Sequence, residues 1–244
     1  MNEEELKKQQ TKMHRKIKKY AEDNHLTKRK PILEPIYDGV ADISAYLNSS
    51  PRIMWILKEP YAEFTESGKP KGGGWKFTTH FKNYKNVWHD QDMWKLMIQI
   101  NFAIRNHLKW SELDFIEYNP EMAEELKKIA YINVGKMPGY PESPLPHMQE
   151  CYNIWEPILK EQIELYNPEV IIFGYTFYLF YDYFQIEEKP ITTVAGNLNS
   201  NVYKKKNRIL IDAYHPSRKG GENSSLGKDY VTSIVKAYEK MRKK

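Results

Sequence analysis

Four short apolar runs, separated by longer stretches of helical periodicity, constrain this chain more than any other feature of its sequence. Arg52-Ile-Met-Trp-Ile-Leu57, Ile129 to Val134, Pro168 to Gly174 and Arg208-Ile-Leu-Ile-Asp-Ala213 each read as a buried strand. Met93, Leu96, Met97, Ile100, Ile104 and Leu108 make one face of a helix. Trp155, Ile158, Leu159 and Ile163 make a second stripe, interrupted near its start by Pro157, and Tyr230, Ile234, Tyr238 and Met241 mark a closing helix. This alternation predicts an α/β fold of three layers, α/β/α, around a central, mostly parallel four-stranded sheet. Leu6, Met13, Ile17 and Tyr20 add an extra amphipathic N-terminal helix, ended by Pro31 and Pro35. The expected division is a basic helical segment over 1–30 and a single α/β domain over 31–244.

Several function classes fall away on composition. The lone cysteine, Cys151, leaves no partner for a disulfide, a Cys-based zinc site or an iron–sulfur cluster, and fits a reducing compartment. The seven histidines form no HExxH or other closely paired spacing, so neither metal nor cofactor is expected. Gly72-Gly73-Gly74 lacks the Lys-Ser or Lys-Thr of a phosphate-binding loop and reads as a flexible loop. The acidic N-terminal residues lead into no apolar segment, and no run approaches the roughly 18 apolar residues of a membrane span. A soluble cytoplasmic protein with no membrane partner is the expectation.

Charge is polarised along the chain. Residues 1–30 hold 10 bases and 5 acids, while the other 214 balance at 27 against 27. Glu112 to Glu125 contains six acids and no base, with Asn119-Pro120 expected to cap a helix there. Lys204 to Lys219 contains six bases and one acid, and could neutralise nucleic-acid phosphates.

In parallel α/β sheets, ligands sit outside the carboxyl ends of the strands. Those ends carry Lys58-Glu59-Pro60-Tyr61, Asn133, Gly174 and Tyr214-His215-Pro216-Ser217. Each motif is weak alone. Their order, with the Gly-rich stretch after the first, resembles the uracil-DNA glycosylase superfamily from about Arg52 to Ser217. Leu57-Lys58-Glu59-Pro60-Tyr61 is similar to that superfamily's first motif and Tyr214-His215-Pro216-Ser217 to its second.

The resemblance implies a sheet of strand order 2-1-3-4 and a pocket for a flipped nucleotide in DNA, single- or double-stranded, whose base is removed by hydrolysis. Such a reaction needs an anion near an oxocarbenium-like sugar and a donor near the departing base. By carry-over, Glu59 positions or deprotonates water, His215 donates to the base, and Asn133 reads the uracil edge. Tyr61 would wall off a thymine methyl, Pro60 and Ser217 would hold the two loops, and Ser217 could reach a phosphate. Trp75 or Phe77 would stack on the flipped ring, and Lys204, Lys205, Lys206, Arg218 and Lys219 would meet the DNA backbone.

This chain also departs from the family. Leu57 replaces a glycine, and Lys58 sets a cation beside Glu59, suited either to favouring the charged carboxylate or to binding a phosphate. Arg218-Lys219-Gly220-Gly221 follows the second motif where relatives carry a duplex wedge. Three readings stay open: a base-excising DNA hydrolase, a non-catalytic nucleic-acid- or protein-binding member of the fold, and a hydrolase of free nucleosides or nucleotides.

Overall fold

The computed structural model describes residues 1–27, 33–76, 79, 81, 92–140, 142–217 and 219–243. Along the chain run α1 (Glu3–Asp23), β1 (Gly39–Val40), α2 (Ile43–Leu47), β2 (Ile53–Leu57), β3 (Glu63–Phe64) and β4 (Pro70–Lys71). Then come α3 (Asp92–Asn106), β5 (Ile129–Asn133), α4 (Leu145–Tyr166), β6 (Val170–Gly174) and α5 (Tyr181–Phe184). The chain closes with β7 (Ile191–Ala195), β8 (Leu198–Lys205), β9 (Arg208–Ala213) and α6 (Ser225–Arg242). Strands β3 and β4 pair as a separate hairpin, and the other seven form one sheet of order β1-β5-β2-β6-β9-β8-β7.

The period-two geometry of β2 explains the layering. Ile53, Trp55 and Leu57 face one core, which α3 and α6 cover with residues such as Leu96, Ile100, Tyr230 and Ile234. Met54 and Ile56 face the other, covered by α1 and α4 through Leu6, Ile17, Trp155 and Ile163. All five residues of β2, β5 and β6 are buried, as expected for parallel strands sandwiched between helices.

The four strands read from sequence form the parallel centre, with β5 beside β2, β2 beside β6 and β6 beside β9. Among the described residues the sheet nevertheless has seven strands, not four. Strands β1, β7 and β8 are antiparallel additions. Strands β7 and β8 are half-exposed, with alternating burial, so they lack the apolar runs that mark the centre. Helix α4 begins ten residues before the stripe that announced it, and Pro157 lies inside it. The acidic stretch forms two 3-10 segments, Trp110–Glu112 and Pro120–Lys128, in place of an α-helix, and buried Glu125 there pairs with Arg105 and Lys128.

Helix α1 lies on the protein's own surface. Leu6, Gln10, Met13, Ile17 and Ala21 are buried, Gln10 bonds both the N–H and the C=O of Val40, and His14 bonds the Asp38 carbonyl.

Asp38, fully buried, sits at the junction of these layers. It accepts from the Lys136 ammonium at 2.8 and 3.0 Å, from the Gln162 amide of α4 at 2.8 Å, and from the backbone N–H of Asn133 at 2.7 Å. Burial holds the Lys136 ammonium below its ordinary pKa, and the Asp38 charge opposes that shift. Removing one member of such a pair leaves an uncompensated charge, which costs about 3–5 kcal/mol. Asp38→Ala is therefore expected to lose that much in urea denaturation, and the paired change Asp38→Leu with Lys136→Met to lose much less. A single variant as stable as wild type would contradict the assignment.

Candidate active site

A cavity of about 1030 Å³ opens at the carboxyl ends of the central strands. Leu57 to Tyr61, Tyr175, Tyr214, His215, Ser217 and Lys219 line it from the strand ends; Trp75, Asp92, Met93, Trp94, Tyr131, Glu142, Ser143 and Pro144 complete the wall. Close packing brings two motifs together. A Cβ placed on Gly174 would fall 2.3 Å from Leu57 Cδ2 and 3.2 Å from Pro216 Cδ, so the bare glycine admits Leu57 beside the His-Pro-Ser turn. The loops are laced to their neighbours: Gly139 donates to the Pro60 carbonyl at 2.9 Å and accepts from Ala62 at 2.9 Å. The Gly-rich stretch is likewise tied down. Glu34 donates to the Gly72 carbonyl and Tyr37 to that of Trp75, each at 3.0 Å. A Cβ on Gly73 would lie 1.8 Å from the Glu34 carbonyl oxygen, which demands glycine there.

His215 is fixed by its own turn. Its Nδ1 accepts from the Ser217 N–H at 3.2 Å and lies 2.7 Å from Ser217 Oγ. An accepting Nδ1 places the ring proton on Nε2. Burial, reinforced by the Lys58 and Lys219 cations, pushes the imidazole pKa down to about 3. The ring is thus a neutral donor throughout the physiological range. Lys58 also stands over the Tyr175 ring, 5.1 Å from its centroid, and Lys219 over that of Tyr214 at 5.5 Å.

Glu59 follows β2, and its side chain is only 2% exposed. Its Oε1 accepts from Ser143 Oγ at 2.9 Å and its Oε2 meets His147 Nε2 at 2.8 Å. Cys151, one turn further along α4, lies 3.8 Å from the same oxygen and 3.6 Å from the same ring nitrogen. Burial first, and then the Glu59 charge, pushes the Cys151 thiol up to about 12.

No known family model matches this chain, and no curated sequence does.

Lys58, Glu59, Pro60, Tyr61, Trp75, His215, Ser217 and Lys219 converge on the cavity. Phe77 and Arg218 lie outside the described residues. Three expectations need correction. Asn133 does not line the cavity: the bulkier Tyr131, two residues earlier on the same strand face, lines it instead. Tyr61 is 59% exposed and rims the mouth instead of walling the interior. The basic run is not one patch, because Lys204 and Lys205 end β8 and Lys206 follows in the turn to β9, at that strand's amino end. About 16 Å of extended strand separates them from the cavity side. Lys205 instead caps the Gln185 carbonyl at 2.7 Å.

Ser143, His147 and Cys151 went unread in the sequence. The available signal was the four-residue spacing of His147 and Cys151, which becomes one helix face only once α4 is known to begin at Leu145.

Two expectations follow from this geometry. The His215 ring is expected to remain neutral, with its proton on Nε2, from pH 8 to pH 4 in nitrogen-detected NMR; a midpoint near 6.5 would refute the burial account. Asn133 is buried, and neither polar atom of its amide has a partner in hydrogen-bond geometry among the described residues, though it lies close enough to the Tyr131 phenol to oppose that group's burial-driven rise. An unpaired buried amide costs about 1–3 kcal/mol. Asn133→Leu should therefore match or exceed wild-type stability in urea, and a clear loss would show that the amide is paired.

Proposed function

We propose that this protein hydrolyses the N-glycosidic bond of a nucleotide in DNA, releasing uracil or a related base after the nucleotide is flipped out of its strand. The observation that carries this reading is that a buried carboxylate and a neutral imidazole share one cavity with two cations and several aromatic rings. The motif resemblance at Glu59-Pro60-Tyr61 and His215-Pro216-Ser217 agrees with it.

The chemistry divides between the two sides of the cavity. Water attacks the sugar C1′ as the C1′–N bond breaks, and its proton passes to the Glu59 carboxylate. The bonding electrons leave with the base, where the developing charge accepts a hydrogen bond from His215 Nε2–H. A carboxylate has about four acceptor sites. Ser143 and His147 occupy two on Glu59, which leaves capacity for the water and fixes the orientation of the group. Trp75 is suited to stack on the extruded ring, which offsets the few kcal/mol of unstacking, and Lys58 and Lys219 are suited to phosphates.

A second reading, binding without cleavage, draws on the same carboxylate. Both Glu59 oxygens are already engaged and its side chain is almost wholly enclosed.

Single- and double-stranded oligonucleotides carrying one uracil, treated with alkali after incubation, distinguish the two. The wild type is expected to cleave, and Glu59→Gln and His215→Ala each to lose more than the roughly 10²-fold typical of one acid–base group while still binding DNA. Unchanged rates in both variants would overturn the mechanism. Retained binding with no product from the wild type would favour the second reading, and faster turnover of a free nucleoside would move the substrate class.

A further inference from the structure

His147 and Cys151 project from the same face of α4 toward Glu59, and the three ligand atoms lie within 4.8 Å of one another. The separations are 2.8 Å from Oε2 to Nε2, 3.6 Å from Nε2 to Sγ and 3.8 Å from Sγ to Oε2. A tetrahedral zinc ion with ordinary bond lengths sets oxygen and nitrogen about 3.3 Å apart, and either of them about 3.5 to 3.6 Å from sulfur. All three donors therefore stand within about 0.5 Å of that arrangement. We propose that Glu59, His147 and Cys151 form a binding site for a zinc-class divalent cation, with water as the fourth ligand.

The alternative chemistry for Cys, His and Glu, a nucleophilic thiol activated by a relay, does not fit. A relay uses both ring nitrogens, one toward the thiol and one toward the carboxylate. Here the same Nε2 faces both groups, so the ring cannot take the thiol proton while donating to Glu59. Three donors converging on one point is the geometry of ligation. The mixture of carboxylate, imidazole and thiol selects a borderline-soft ion and disfavours magnesium or calcium, which take oxygen ligands.

The surroundings support the same use. Ser143 holds Oε1 and leaves Oε2 facing the two helix donors, an orienting contact of the kind that metal-binding carboxylates require. Gly135 clears the space: a Cβ there would lie 3.1 Å from Glu59 Cβ and 3.3 Å from Cys151 Sγ. The His147 side chain is 47% exposed, which gives the ion an entry path and the fourth position a water. On binding, the imidazole proton moves from Nε2 to Nδ1, the thiol proton leaves to solvent, and no group is oxidised or reduced.

This site shares Glu59 with the excision reading, and the measurement that tests it is spectroscopic and does not depend on turnover, so the two can fail separately. The full-length chain, stripped with chelator, is titrated with cobalt(II) chloride. The expected result is saturation at one ion per chain, with visible bands of tetrahedral intensity and a near-ultraviolet sulfur-to-cobalt band, all displaced by zinc. Cys151→Ser should lose the sulfur band and His147→Ala should bind more weakly, while His107→Ala behaves as wild type. Zinc should raise the melting temperature of the wild type and not that of Cys151→Ser. A wild-type chain that gives no tetrahedral spectrum, or one whose spectrum survives unchanged in Cys151→Ser, would overturn the proposal.

Discussion

The site inherits its shape from a carboxylate that never touches the cavity. Asp38 binds the ammonium of Lys136, the N–H of Asn133 and the amide of Gln162, so the edge of the sheet, the turn after β5 and the middle of α4 share one buried charge. Glu59 is enclosed by the next residues of that turn. A Cβ on Gly139 would fall 2.7 Å from its carboxyl carbon, and one on Gly135 would fall 3.1 Å from its Cβ. A shift in the Asp38 network would therefore be felt at Glu59, through backbone packed too closely to absorb the movement.

The charges in the cavity follow a related logic. Burial and two cations both act to keep His215 neutral. The same two lysines share the cavity wall with the carboxylates of Glu59, Asp92 and Glu142, while the imidazole stays a hydrogen-bond donor and does not become a third cation. The Ser217 turn fixes which nitrogen donates.

The centre of the fold was legible in the sequence for a definite reason. A strand buried on both faces is apolar along most of its length, and Ile53 to Leu57, Ile129 to Ile132 and Val170 to Gly174 carry that mark. Strands β7 and β8 are buried on one side only, so Thr192, Asn199 and Asn201 conceal them. At the site, Glu59 and His215 were legible because strand ends single them out. Ser143, His147 and Cys151 were not, since nothing in the stretch Leu145 to Asn153 shows a stripe strong enough to fix where the helix starts. The separation of Lys204 from Lys219 was already implied by the strand Arg208 to Ala213 between them, which carries the chain from one end of the sheet to the other.

The contact between Gln10 and Val40 has a consequence for the molecule in concentrated solution. Among the described residues strand β1 is the last in its sheet, and an open strand edge invites pairing with another chain. The Gln10 carboxamide gives its N–H₂ to the Val40 carbonyl and takes the Val40 N–H, as the backbone of a neighbouring strand would. One side chain thus counterfeits a peptide unit where the sheet stops. Helix α1 thereby covers the edge along which another strand could pair.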